Sequence, residues 1–168
     1  MTATSAPPPA LHPDVEPLAA LLGTWSGEGE GSYPTIEGFR YREEITFGHV
    51  GKPFLAYRQA TVNLATGLPA HAESGYLRGL PGGGVELVLA HPTGIAEVAT
   101  GSVTPTADGL VLHLRSSTVA RTGTAKQVDS VERRITVEGD VLRYDLAMGA
   151  VGQPHQHHLA AELRRAPS

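Results

Sequence analysis

The sequence predicts an all-β fold of about ten short antiparallel strands, closed as a sandwich or barrel, and three observations predict it. The first is composition: 20 glycines and 13 prolines stand among 168 residues, about a fifth of the chain against an average nearer 12%. Glycine costs backbone entropy inside a helix, and proline lacks an N–H and clashes. The longest stretch free of both runs only from Thr124 to Glu138, so helical bundles and coiled coils are excluded. The second is period-two alternation, which marks strands with one buried face. The third is turn chemistry recurring about every 8–15 residues, with no connection long enough for a crossover helix.

In chain order, Met1 to Ala10 has neither the basic start nor the apolar core of a signal peptide. Residues 1–12 read as a disordered leader, 13–168 as one folded domain, and the expected compartment is the cytoplasm. Pro13 to Leu22 makes one short helix, with Asp14 as N-cap and Gly23 as its stop. Strands follow near residues 24–33, 39–48, 53–63 and 70–79, each bounded by Gly or Pro. The next, 85–91, puts Val85, Leu87, Leu89 and His91 on one face. Beyond 94–103, the strand 109–116 alternates Leu110, Leu112 and Leu114 with Val111, His113 and Arg115. Strand 128–137 leads to 141–149, where Leu142, Tyr144, Leu146 and Met148 share a face, and 156–165 closes the series. Pro81 to Gly84, His91 to Gly94, Asp108-Gly109 and Glu138-Gly139-Asp140 are hairpin-like joints.

Composition also bounds function. With 40% hydrophobic and 18% charged residues the chain is too apolar to be disordered throughout, and no run of 18 apolar residues offers a membrane-spanning helix. A net charge of −4 without a basic tract argues against nucleic acid as a partner. The absence of cysteine excludes disulfides, a thiolate nucleophile and Cys-ligated metal. Three Phe and one Trp are few for a solid core and leave room for an internal cavity.

Histidine is the richest reactive residue, at eight copies. His12 falls in the leader, and His49 suits a capping role before Gly51. His113 reads as a solvated strand residue, and His155 and His157 as surface residues. His91 shares an apolar face and points inward, as a core residue or a pocket wall. His71 opens its strand and is undecided by pattern. His158 is disfavoured by strict alternation, which puts Leu159, Ala161 and Leu163 on the face opposite to it. Only a part-polar interior or a bulge would turn His158 inward. No nucleophile elbow, Walker loop, HExxH pair or dinucleotide fingerprint is present.

One ordered set of motifs stands out. Gly23-Thr24-Trp25-Ser26-Gly27-Glu28-Gly29 is followed by Tyr33-Pro34-Thr35-Ile36. Then come Phe47-Gly48-His49-Val50-Gly51-Lys52-Pro53, His71-Ala72-Glu73-Ser74-Gly75-Tyr76, Ala90-His91-Pro92-Thr93-Gly94 and Gln153-Pro154 with His158-Leu159. Together they resemble the nitrobindin family from about Leu18 to Arg165. The resemblance implies a ten-stranded antiparallel β-barrel, shaped like fatty-acid-binding proteins and lipocalins, holding one ferric haem b per chain near an open end. It implies His158 as the axial iron ligand, Thr35 as a haem contact, and His71 and Met148 in the pocket. Lys126 is a weaker candidate for pairing with a propionate. His157, one residue away, projects to the opposite face and is a poor substitute. Trp25 and its glycines read as structural, the indole plugging the closed end. The implied activity is nitric oxide binding and isomerisation of peroxynitrite to nitrate, with ferric iron as a Lewis acid. The alternative is a barrel that carries a fatty acid or another apolar ligand. A closed barrel has no free edge for strand addition, which leaves a monomer or a weak side-by-side homodimer.

Overall fold

Ten antiparallel strands close on themselves in the computed structural model, which describes residues 9–167. A 3-10 helix, Pro13–Leu21, precedes β1 (Gly23–Tyr33), β2 (Ile36–Gly48), β3 (Phe54–Asn63), β4 (Pro69–Gly79) and β5 (Gly84–His91). The remaining strands are β6 (Ile95–Pro105), β7 (Gly109–Arg121), β8 (Val128–Glu138), β9 (Val141–Ala150) and β10 (Gln156–Arg165). Each strand pairs with the next, and β10 returns to β1 from Trp25↔Arg165 to Gly31↔Leu159. Among the described residues no helix is long and apolar enough to cross a membrane.

The predicted strands are all present, and β7 departs most from its predicted bounds. It continues to Arg121 because a register shift opposite Val98 and Ala99 flips the parity after Ser116. A bulge of this kind ends a period-two pattern without ending the strand. The helix is 3-10, and Pro13 and Pro17 each remove an amide donor from it. Its cap is His12 rather than Asp14: the Asp14 N–H donates to His12 Nδ1 at 3.2 Å. Of the expected leader, residues 1–8 lie outside the described residues, and Leu11 packs against the core.

One end of the barrel is shut. Val15, Leu18 and Leu21 of the helix are fully buried beneath it, and Trp25 Nε1 donates to the Leu21 carbonyl at 2.8 Å. The Arg165 guanidinium stacks 4.1 Å from the indole centroid and donates to the carbonyls of Ala20 and Leu22. Gly29 and Gly31 on the inner face of β1 serve close approach: a Cβ on Gly29 would sit 2.4 Å from the Tyr41 ring, and one on Gly31 2.5 Å from the Phe39 ring. At the opposite, open end lie the turns β1–β2, β3–β4, β5–β6, β7–β8 and β9–β10.

Candidate functional site

A cavity of about 320 Å³ occupies the open half of the barrel, at the small end of the usual range for ligand pockets. Because alternate residues of every strand face inward, its wall is layered. Phe39, Met148, His158 and Leu159 line the mouth, polar side chains form a belt beneath, and buried aliphatic side chains fill the floor toward Trp25.

His158 reaches the mouth through a bulge. The β9–β10 register runs Ala147↔His157 and then Leu146↔Leu159, so His158 is the extra residue. Both His158 and Leu159 therefore line the cavity, while His157 stays exposed. His158 Nδ1 lies 3.0 Å from the Ser32 carbonyl. A carbonyl only accepts, so Nδ1 carries the proton and Nε2 keeps its lone pair. Burial pushes the imidazole below its ordinary pKa, against the opposing bond to Ser32. Tyr33 and Phe39 flank the ring edge-on, with centroids at 5.3 and 6.3 Å. The Tyr33 hydroxyl accepts from the Ala150 N–H at 2.9 Å, tying β1 to the end of β9.

The polar belt divides into two groups. In the first, Gln59 Nε2 donates to Glu43 Oε1 at 2.7 Å and the Tyr144 hydroxyl to Oε2 at 2.8 Å. Tyr41 and Tyr144 share a hydroxyl–hydroxyl bond of 2.7 Å. Burial pushes the Glu43 carboxyl up to about 7, and these hydrogen bonds offset only part of that. In the second, Arg133 bridges Glu97 and Glu73, the latter at 3.0 Å, and the Tyr57 hydroxyl donates to the other Glu73 oxygen at 3.0 Å. Burial alone would raise the Glu73 carboxyl, but Arg133, His71 and His91 overcome it and hold it well below the carboxylate range. Glu97 is likewise lowered: its contacts with His91 and Arg133 outweigh burial. His71 Nε2 and His91 Nδ1 stand 3.3 Å apart beside this group.

The model of the THAP4-like, heme-binding beta-barrel domain matches residues 14–165. The chain belongs to this family. A protein named peroxynitrite isomerase 2 from Mycobacterium marinum is 52% identical over 158 residues, covering 94% of this chain and 98% of that relative. One named peroxynitrite isomerase from Nocardia farcinica is 53% identical over 167 residues, covering 98% and 99%. The crystal structure of Rv2717c from M. tuberculosis superposes with a TM-score of 0.91 at 48% identity, over 94% of this chain and all of that one.

In this member of the heme-binding barrel family, His71, Met148 and His158 line the cavity together. Thr35 and Lys126 do not: both are exposed in open-end turns, Thr35 between β1 and β2 and Lys126 between β7 and β8. The remaining histidines have local partners or none. His49 Nδ1 accepts the Gly51 N–H at 3.4 Å, and His113 and His155 meet Glu132 on the outer face at 2.6 and 3.3 Å. The residues missed by sequence reasoning are the belt itself: Glu43, Gln59, Glu73, Glu97 and Arg133. Parity alone could have found Arg133, which shares a strand face with Val131, Ile135 and Val137, and Glu43, which shares one with Tyr41, Ile45 and Phe47.

Proposed function

We propose that this chain is a haem-dependent peroxynitrite isomerase that also binds nitric oxide, with one ferric haem b held by His158. The observation that carries the reading is the bulge imidazole, whose Nδ1 donates to Ser32 and whose Nε2 keeps a lone pair at an apolar mouth. A neutral, oriented imidazole of this kind is what iron ligation requires. Bound haem supplies an iron centre with Lewis acidity toward peroxynitrite. His158 orients that group, Tyr33 and Phe39 hold the ring edge-on, and Met148 and Leu159 supply apolar contact and exclude water. Thr35 and Lys126 are exposed at the open-end rim, where Lys126 would be placed to pair with a carboxylate of the bound group. The relatives' name supports the reaction.

A fatty-acid carrier is disfavoured by one feature. Arg133, the buried cation that would hold a carboxylate, is already engaged by Glu73 and Glu97. The test is reconstitution of the purified chain with haemin, followed by titration with peroxynitrite and nitrate analysis. We expect a Soret band that shifts with nitric oxide, and more nitrate with haem than without. His158→Ala should remove the band. Full haem affinity in His158→Ala would sink the axial assignment, and equal nitrate yields with and without haem would sink the reaction.

A further inference from the structure

We propose that His71, Glu73 and His91 form a second site in the barrel, separate from the haem ligand, which binds one divalent first-row metal ion of the Zn²⁺ type. His71 and Glu73 are two residues apart on β4 and so share its inner face. Extending the β4–β5 register one pair beyond Ser74↔Ala90 sets Glu73 opposite His91. The three donor atoms form a nearly equilateral triangle: His71 Nε2 to His91 Nδ1 is 3.3 Å, His71 Nε2 to Glu73 Oε1 is 3.5 Å, and His91 Nδ1 to Glu73 Oε1 is 3.6 Å. A tetrahedral ion with bonds of about 2.1 Å needs ligand–ligand edges of about 3.4 Å, so an ion fits with shifts of a few tenths of an ångström. Two histidines and a glutamate leave a fourth position for a small exchangeable ligand, which distinguishes this set from a closed structural zinc site.

A second observation points the same way. Among the described residues neither His91 Nε2 nor Glu97 Oε2, both buried and 3.5 Å from each other, has a hydrogen-bond partner. Metal on Nδ1 would force the His91 proton onto Nε2, where Glu97 can draw it into a hydrogen bond. That is the carboxylate–histidine–metal relation that orients such ligands. Arg133 also donates to Glu73 Oε1, at 3.0 Å, but a carboxylate oxygen has two acceptor directions and the one toward the histidines stays open. Glu73 and Glu97 together outweigh the single cation Arg133, so the group has a surplus of negative charge for a cation to meet.

The test is calorimetric titration of the full chain with Zn²⁺, with Co²⁺ absorption as a report on coordination geometry. We expect one ion per chain and a tetrahedral Co²⁺ spectrum. His71→Gln changes a half-exposed residue and should fold. It should lose binding by tenfold or more, as should His91→Gln, and Glu97→Gln should weaken it roughly 10–100-fold. His158→Ala should bind as the parent does, and so should the double variant His113→Ala, His155→Ala, which removes the outer-face histidines. The site is overturned if the parent binds no ion, if His71→Gln and His91→Gln both bind like the parent, or if His158→Ala abolishes binding. The haem reading depends on His158 and this one does not, so the two fail separately.

Discussion

His158 and Arg133 illustrate how single side chains are set by what lies behind them. A backbone carbonyl at 3.0 Å fixes the His158 tautomer. Two buried glutamates fix the guanidinium of Arg133. Among the described residues Arg133 is the sole cation in the buried polar set, alongside Glu43, Glu73 and Glu97. Its removal leaves Glu73 and Glu97 as uncompensated charges in a poorly solvated interior, a change that typically costs about 3–5 kcal/mol. Arg133→Met should therefore lower the urea midpoint with an unchanged m value, by a free energy in that range. A loss under about 1 kcal/mol would show that water or relaxation already screens the pair. His157→Ala, by contrast, alters only an exposed neighbour, and should leave both stability and the Soret band of the haem-loaded chain unchanged.

At the scale of the element, β10 and the turn before it decide the site. Alternation made the ten strands legible, because side-chain parity is a direct consequence of strand geometry. The same rule pointed His158 the wrong way, since a bulge adds one residue and reverses parity without any distinctive residue type to announce it. Only the family resemblance reached His158, and the Ser32 carbonyl behind it is a backbone atom on a strand 126 positions away. The belt was missed for another reason: charged residues are read as solvated, so the inward parity of Arg133 was passed over, and its pairing with Glu73 and Glu97 across β4, β6 and β8 is a tertiary fact. The β9–β10 turn carries strain of its own. Val151 has φ 46°, a left-handed conformation that costs an L-residue roughly 1–2 kcal/mol and a β-branched one no less. Val151→Gly should relieve part of this. Its benefit is offset by greater freedom of the unfolded chain, so a gain of about 0.5–1 kcal/mol is expected in thermal unfolding. A loss of stability would mean that the exposed valine side chain contributes more than the backbone strain removes.

The whole barrel is a stack of three environments, an apolar mouth, a polar belt and an aliphatic floor shut by Trp25 and the N-terminal helix. The belt makes global stability depend on pH from two directions. Glu73 and Glu97 have folded-state values below the usual range. Their contribution is present above the unfolded carboxylate value near pH 4.3 and is lost as pH falls through it toward the folded values. Glu43 runs the other way, raised from 4.5 to about 7: its contribution is complete below the unfolded value and is lost as pH rises through about 7. The shift sets a limit of about 3 kcal/mol on that loss. Glu43→Gln keeps a hydrogen-bonding side chain of the same size but cannot ionise. Urea unfolding of parent and variant at several values from about pH 5 to 7.5 should show the parent losing stability relative to Glu43→Gln as pH rises. Parallel profiles would mean that Glu43 is already ionised at pH 5, with Gln59, Tyr144 and nearby water offsetting its burial.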